Sequence, residues 1–351
     1  MRQKIRMAIC RLDSRPFLPL GACPMPHPPI SLALPETITV ARNRMNRLAL
    51  NVLIGAIAMT CAILANAGDS IDPLTQAIHA GNSDQWNTSQ TPMKLYGNTY
   101  YVGVLGLSSV LIDTGAGLML IDGDMPQSVA LIEANIRKLG FKVGDIKFIL
   151  SSHAHFDHAG GIAALQRDSG AVVLASPLTA QVLRTGQPAV DDPQYPELSI
   201  FPAVGTLREV QDGEVVQLGK TAVKAHHTPG HAPGGVSWTW QSCEGGTCLN
   251  VVYADSLHAV SVDSYHYTAD ANHGDLTAPL RKSIQTIAAL PCDILISAHP
   301  DQSDLQHHLQ VAKTKPHPNP FIDANACRTY AADAQAFLDS RVASERAAGA
   351  Q

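Results

Sequence analysis

Ile146-Lys147-Phe148-Ile149-Leu150-Ser151-Ser152-His153-Ala154-His155-Phe156-Asp157-His158-Ala159-Gly160-Gly161 is the stretch on which the reading of this 351-residue chain turns. Its first five residues form an apolar run of strand length. His153-x-His155-x-Asp157-His158 then places four ligand-capable side chains within six residues. A dry core cannot satisfy so many imidazoles and a carboxylate at low cost. In an extended or turning segment His153 and His155 point to one side, while Asp157 and His158 address a second centre. Imidazole nitrogens with one carboxylate oxygen suit Zn2+, and the absence of cysteine from the cluster argues against a structural thiolate site. Gly160-Gly161 reads as backbone free enough to turn the segment tightly.

Working outward, Tyr100–Val102, Ser109–Ile112 and Leu118–Asp122 alternate as strands before the cluster. Gln127–Leu139 has helical spacing and ends at Gly140. After the cluster come a helix from Ile162, a strand at Ala171–Ala175 and a helix at Leu178–Arg184. Four further strands are predicted at Val215–Leu218, Ala222–His226, Val236–Trp240 and Leu249–Ala254. A helix at Pro279–Leu290, a strand at Asp293–Ser297 and a terminal helix at Asn325–Ala348 complete the pattern, after an amphipathic opening near Asp72–His79. Two strand-rich halves capped by helices imply two packed sheets with helices outside. Single histidines also follow two later strands, in Thr228-Pro229-Gly230-His231-Ala232-Pro233-Gly234 and in Ser297-Ala298-His299-Pro300. Each alone reads as a satisfied loop histidine. With the central run they complete two sets of three: His153, His155 and His231, then Asp157, His158 and His299.

The N-terminal portion has a different character. Residues 1–44 are proline-rich and carry no apolar periodicity, so no fold is assigned to them. Met45-Asn46-Arg47, an apolar run from Leu48 to Leu64 and Ala65-Asn66-Ala67 read as the three regions of a secretory signal peptide, residues 45–67. The expectation is that Met45 is the natural start and that 68–351 is the mature domain. The whole chain holds 25 Lys+Arg against 30 Asp+Glu, which gives no electrostatic footprint for nucleic-acid binding. Removing residues 1–67 takes away eight basic and two acidic residues, leaving 17 against 28 and a net charge of −11. It also takes away Cys10, Cys23 and Cys61, so the odd total of 7 cysteines becomes an even four.

The ordered set of motifs resembles the metallo-β-lactamase superfamily, and within it the subclass B3 metallo-β-lactamases. The resemblance rests on Gly97-Asn98-Thr99-Tyr100-Tyr101-Val102-Gly103, the 151–161 run, residues 228–234, Tyr253-Ala254-Asp255-Ser256-Leu257, His299-Pro300 and Cys327-Arg328-Thr329-Tyr330-Ala331. It implies an α/β fold, a four-layer αββα sandwich, with two Zn2+ ions held by the two triads above. It also implies a bridge between Cys292 and Cys327. Cys243 and Cys248 flank a hairpin tip, where a local bridge is geometrically reasonable.

The activity implied is hydrolysis of the β-lactam amide bond of penicillins, cephalosporins and carbapenems by a di-zinc-bound hydroxide, conferring antibiotic resistance. Asp157 is the candidate catalytic residue, orienting that nucleophile. Ser256 and His258 are candidate substrate contacts; His258 stands where the family often has Ser or Thr, and Tyr265 is a substitute for a tyrosine replaced by Val262. Trp86 is a candidate apolar wall, with ordinary packing as the alternative. The expectation is a periplasmic monomer with no nucleic-acid partner and no stable membrane association after cleavage. The rival reading is a glyoxalase II-like thioesterase or lactonase, in which Asp255 would act as a bridging carboxylate.

Overall fold

The computed structural model describes residues 72–269 and 273–349. The upstream segment, the signal peptide and the first three cysteines lie outside these residues.

The described strands form two sheets. The first has seven in spatial order: β1 (Met93–Tyr96), β2 (Thr99–Tyr101), β3 (Val110–Asp113), β4 (Leu118–Ile121), β5 (Ile146–Leu150), β6 (Val172–Ala175) and β7 (Leu207–Glu209). Its first four strands are antiparallel neighbours and β4 to β7 are parallel. The second sheet contains β8 (Val215–Leu218), β9 (Thr221–His227), β10 (Val236–Glu244), β11 (Thr247–Ala254) and β12 (Ile294–Ser297), in the order β12-β11-β10-β9-β8. Only the β11–β12 pair is parallel in that sheet, so β9, β11 and β12 run in one direction.

The strands are apolar at successive positions because both faces of each sheet are covered. Along β4, Leu118 and Leu120 enter one cluster while Met119 and Ile121 enter another. Along β11, Val251 and Tyr253 face the first sheet, whereas Val252 and Ala254 face helices. The middle layer is built around Trp238, Trp240, Tyr101 and Tyr253. Helices α2 (Val129–Lys138), α4 (Ile162–Ser169) and α5 (Pro177–Thr185) cover the first sheet; α6 (Thr277–Ala289) and α8 (Ala326–Gly349) cover the second. The chain is therefore an αββα sandwich. Three short or late helices, α1 (Ser83–Trp86), α3 (Phe156–Ala159) and α7 (Leu305–Thr314), complete the described set.

Edge strands β1 and β7 and helix α7 are absent from the sequence reading. The two strands have four and three residues, too few for a period to declare itself. The amphipathic opening at Asp72–His79 is neither helix nor strand. Leu74 and Ile78 pack on the core, and the Gln127 side chain bonds both the amide and the carbonyl of Ile78. Both bridges, Cys243–Cys248 and Cys292–Cys327, are formed. The first closes a two-glycine hairpin turn, Gly245 and Gly246 having φ of 57° and 86°.

Candidate metal centre

The two triads meet at one edge of the sandwich. His153 and His155 leave the C-terminal end of β5, and Asp157 and His158 lie in α3 immediately beyond. His231 follows β9 and His299 follows β12. In each triad one ligand atom per residue lies within 4.8 Å of the others, and all six residues are buried.

Gly160 and Gly161 serve this convergence differently from the sequence expectation. Both have ordinary helical dihedrals. Their requirement is space, because a Cβ on Gly161 would collide with the Gly123 carbonyl, and one on Gly160 with the Phe156 carbonyl and Pro126. The helix that carries Asp157 and His158 thus sits directly on the Gly123–Pro126 turn.

The second triad is a tight triangle. Asp157 Oδ2 lies 3.4 Å from His158 Nε2 and 3.3 Å from His299 Nε2, and the two nitrogens are 3.0 Å apart. A tetrahedral zinc with bonds of about 2.0–2.1 Å has ligand atoms about 3.3–3.4 Å from one another. Donor type and spacing therefore both fit zinc.

Each imidazole of the first triad has one nitrogen tied down on the side away from the triad, and the other faces it; on His231 that nitrogen meets only Gln194 Nε2, at 3.3 Å. His153 Nδ1 meets Asp255 Oδ1 at 2.7 Å, while its Nε2 is buried with no hydrogen-bond partner. His155 Nε2 meets Asp192 Oδ2 at 2.9 Å, which leaves Nδ1. His231 Nδ1 donates to the His258 carbonyl at 2.9 Å. Such outer partners fix the tautomer and orientation of metal-binding histidines. In the second triad, His299 Nδ1 donates to the Gly106 carbonyl at 3.3 Å.

Beneath the cluster, Asp122 adopts a left-handed φ of 57°. Its carboxylate accepts from the Ser152 amide at 2.7 Å, the Ser152 hydroxyl at 2.6 Å and the Tyr253 hydroxyl at 2.7 Å. It thereby fastens the start of the histidine run to β11.

Electrostatics prepare four of the six residues for ligation. Burial, reinforced by His155, holds His153 well below the usual imidazole range, and burial does the same to His158. His231 is pulled down to about 3 by burial and by the two neighbouring imidazoles. Burial works against a charge on Asp157, yet His158 and His299 hold its carboxyl well below the usual range. Against burial, Asp192 raises His155 and Asp157 raises His299, so a divalent cation, which requires neutral nitrogens and a carboxylate anion, would displace a proton from these two.

The remaining candidates are placed as follows. Ser256 is fully buried at the end of β11, and its hydroxyl has no partner. The Trp86 ring lies 5.2 Å from that of His299, and a Cβ on Gly106 would fall on it. His258 turns its ring away: Nε2 meets Asp333 Oδ2 at 2.9 Å and the ring stacks on Phe337 of α8. The residue reaches the centre through its backbone carbonyl. Val262 is buried with its amide bonded to the Pro193 carbonyl, and Tyr265 packs against Tyr267. His226 and His227 stay on β9, bonded to Thr239 and to the Val210 carbonyl. Asp255 lies on the Nδ1 side of His153, apart from both triads. Asp192 and Asp122 carry no role in the sequence reading; the Asp-Pro-rich 191–196 segment gave no spacing that tied it to a histidine 37 residues away.

The sandwich and its paired triads define a class of metal-dependent hydrolase, and comparison with known proteins agrees. A sequence model of the metallo-β-lactamase superfamily matches residues 102–246. Among solved structures, MEM-A1, a subclass B3 metallo-β-lactamase from a soil metagenome library, is 52% identical with a TM-score of 0.72, over 75% of this chain and 99% of that one. The lactamase-like protein aptB of Emericella nidulans is 30% identical over 40% of this chain, and the match spans only 35% of that protein's length. An N-acyl homoserine lactonase of Bacillus thuringiensis is 28% identical over 48% of this chain and 68% of the relative. The chain belongs to the subclass B3 metallo-β-lactamases.

Proposed function

We propose that this protein hydrolyses the amide bond of β-lactams, including penicillins, cephalosporins and carbapenems, at a centre holding two zinc ions. The observation that carries the reading is the pair of adjacent three-residue sets, with Asp255 withdrawn behind His153 at 2.7 Å. His153, His155 and His231 would hold one ion, and Asp157, His158 and His299 the other. Bound zinc supplies Lewis acidity and a water of lowered pKa.

The chain's own residues set the rest. Asp157 is the proposed catalytic residue: one carboxylate oxygen belongs to the triad, and the other orients the attacking water. The water oxygen adds to the lactam carbonyl carbon, the ring C–N bond breaks, and the ring nitrogen takes up a proton. Trp86 walls the site beside His299, and the buried Ser256 hydroxyl, which has no partner, would meet a polar group of the substrate only if the residues covering it move aside. His258 supports His231 through its carbonyl, and its ring would bind a substrate carboxylate only after leaving Asp333.

Export and cleavage after residue 67 would deliver a periplasmic, monomeric enzyme, a compartment that suits the two disulfides. No helix among the described residues is long and apolar enough to cross a membrane. The test is hydrolysis of a penicillin, a cephalosporin and a carbapenem with and without a chelator, alongside Asp157→Ala. Chelation and the substitution should each abolish turnover. Chelator-insensitive hydrolysis overturns the zinc mechanism, and turnover of thioesters or lactones without β-lactams overturns the substrate.

A further inference from the structure

Residues 187–200 form an irregular segment between α5 and the buried Phe201. Its ends are secured, since the Phe201 amide bonds the Gly186 carbonyl and the Val204 amide bonds the Leu183 carbonyl. Between those ends it does not rest on a packed core. A cavity of about 630 Å³ lies on one side, lined by Val190, Tyr195, Pro229, Val262 and Leu276, and one of about 300 Å³ is lined by Gln187, Leu198 and residues of α5. Asp192 lines both. Val190 is 79% exposed and Tyr195 40%, so the segment presents apolar side chains that buy it little burial.

Its polar ties run elsewhere. The Pro193 carbonyl accepts from the Val262 amide at 3.0 Å. Gln194 Nε2 lies 3.3 Å from His231 Nε2, the nitrogen left for a metal, so that contact gives way when the triad fills; Asp192 Oδ2 lies 2.9 Å from His155 Nε2, on the side of the ring away from the triad, and survives filling. Asp192 is 5% exposed, and its second oxygen accepts from the Gln194 amide at 2.9 Å. One carboxylate therefore closes the turn of the segment and fixes the imidazole of a triad residue.

We propose that Asp192 is a positioning residue that couples the 187–200 segment to the first triad, so that filling the triad with zinc orders the segment as a wall of the substrate site. The proposal rests on the zinc assignment above. With a metal on His155 Nδ1, the ring is fixed and Nε2–H points steadily at Asp192. Without it the ring is held in place by this one hydrogen bond and by ring contacts with His153 and His231, a tie that opens more often than one fixed from both nitrogens. The coupling is reciprocal: whatever factor zinc contributes to ordering the segment, the ordered segment contributes to zinc affinity. Ligand-orienting partners of this kind change metal affinity by about 10–100-fold.

The test is hydrogen–deuterium exchange across 187–200 in the full chain, metal-free and zinc-loaded, with zinc affinity measured by competition against a chromophoric chelator. In the unsubstituted protein zinc should slow exchange in this segment about tenfold or more. Asp192→Ala should weaken one of two zinc-binding steps by about 10–100-fold. With zinc raised until both sites are filled, its segment should still exchange at the metal-free rate, with a higher KM and a smaller change in kcat. Asp192→Asn, which keeps an oxygen acceptor, should recover part of both effects and controls for folding. Full zinc occupancy with the same exchange in loaded and metal-free protein, or Asp192→Ala indistinguishable from the parent, overturns the coupling and leaves the zinc assignment standing. A parent protein that takes up no zinc overturns both.

Discussion

Asp255→Ala discriminates between the two ways this carboxylate could serve the centre. Asp255 Oδ1 is 2.7 Å from His153 Nδ1, and the side chain is wholly buried. Without it, His153 Nδ1 keeps only the Ser152 hydroxyl at 3.3 Å, and nothing charged holds the ring with Nε2 toward its partners. A hydrogen bond to a charged group contributes about 1.5–3 kcal/mol. That agrees with the tenfold to hundredfold in metal affinity, about 1.4–2.7 kcal/mol, that such outer partners supply. Zinc titration of the metal-free protein against a chromophoric chelator should therefore show one step weakened by that factor. The other step, at Asp157, His158 and His299, should shift by less than that factor, because Asp255 bonds none of these three residues and acts on them only through the His153 ring, 4.4 Å from that of His158. Excess zinc should restore β-lactam turnover. Burial raises Asp255 to about 7 in the metal-free chain, so the comparison belongs at pH 8, where the carboxylate is charged, and the gap should narrow at pH 6. A carboxylate bridging two ions would lose a ligand from both. Simultaneous weakening of both steps, with turnover that zinc does not restore, refutes the positioning argument; so does unchanged affinity.

The two disulfides should differ in their contribution to stability. In the chain-entropy treatment, sequence separations of 35 for Cys292–Cys327 and 5 for Cys243–Cys248 correspond to about 4 and about 2 kcal/mol. Urea unfolding of the paired serine variants checks this, and a larger loss at the hairpin bridge would contradict it. Asp124, fully buried against the Ser109 hydroxyl and the Val104 amide, is raised to about 7 by burial. Its neutral form is the one the fold favours, so its contribution is complete below the unfolded value near 3.8 and is lost as pH rises towards 7. In chelated protein, Asp124→Asn should therefore gain stability relative to the parent between pH 4.5 and pH 8, by on the order of 3–4 kcal/mol at most; a pH-independent difference refutes the assignment.

What could be read in advance divides along a physical line. The six triad residues were legible because strand ends and close spacing are local facts: four lie in one hexapeptide, and the other two each follow a strand. The layering was legible for the same reason, since unbroken apolar runs along β4 and the end of β11 mark strands covered on both faces. The groups that aim the ligands were not. Asp192, Asp255 and the His258 carbonyl act on histidines 37, 102 and 27 residues away, through side-chain directions that no period encodes. His258 shows the cost most clearly. Its place in the motif suggested a ring directed at substrate, but Asp333 and Phe337 of α8 offer that ring a carboxylate partner at 2.9 Å and a stacking face. Both partners come from a helix whose first turn is tied to the β12 end by Cys327. The position of a ligand-supporting carbonyl therefore depends on packing contributed by the last helix of the chain. Exchange of ligand residues would empty this centre, but changes in its outer carboxylates and in α8 would leave every ligand present and alter where each one points.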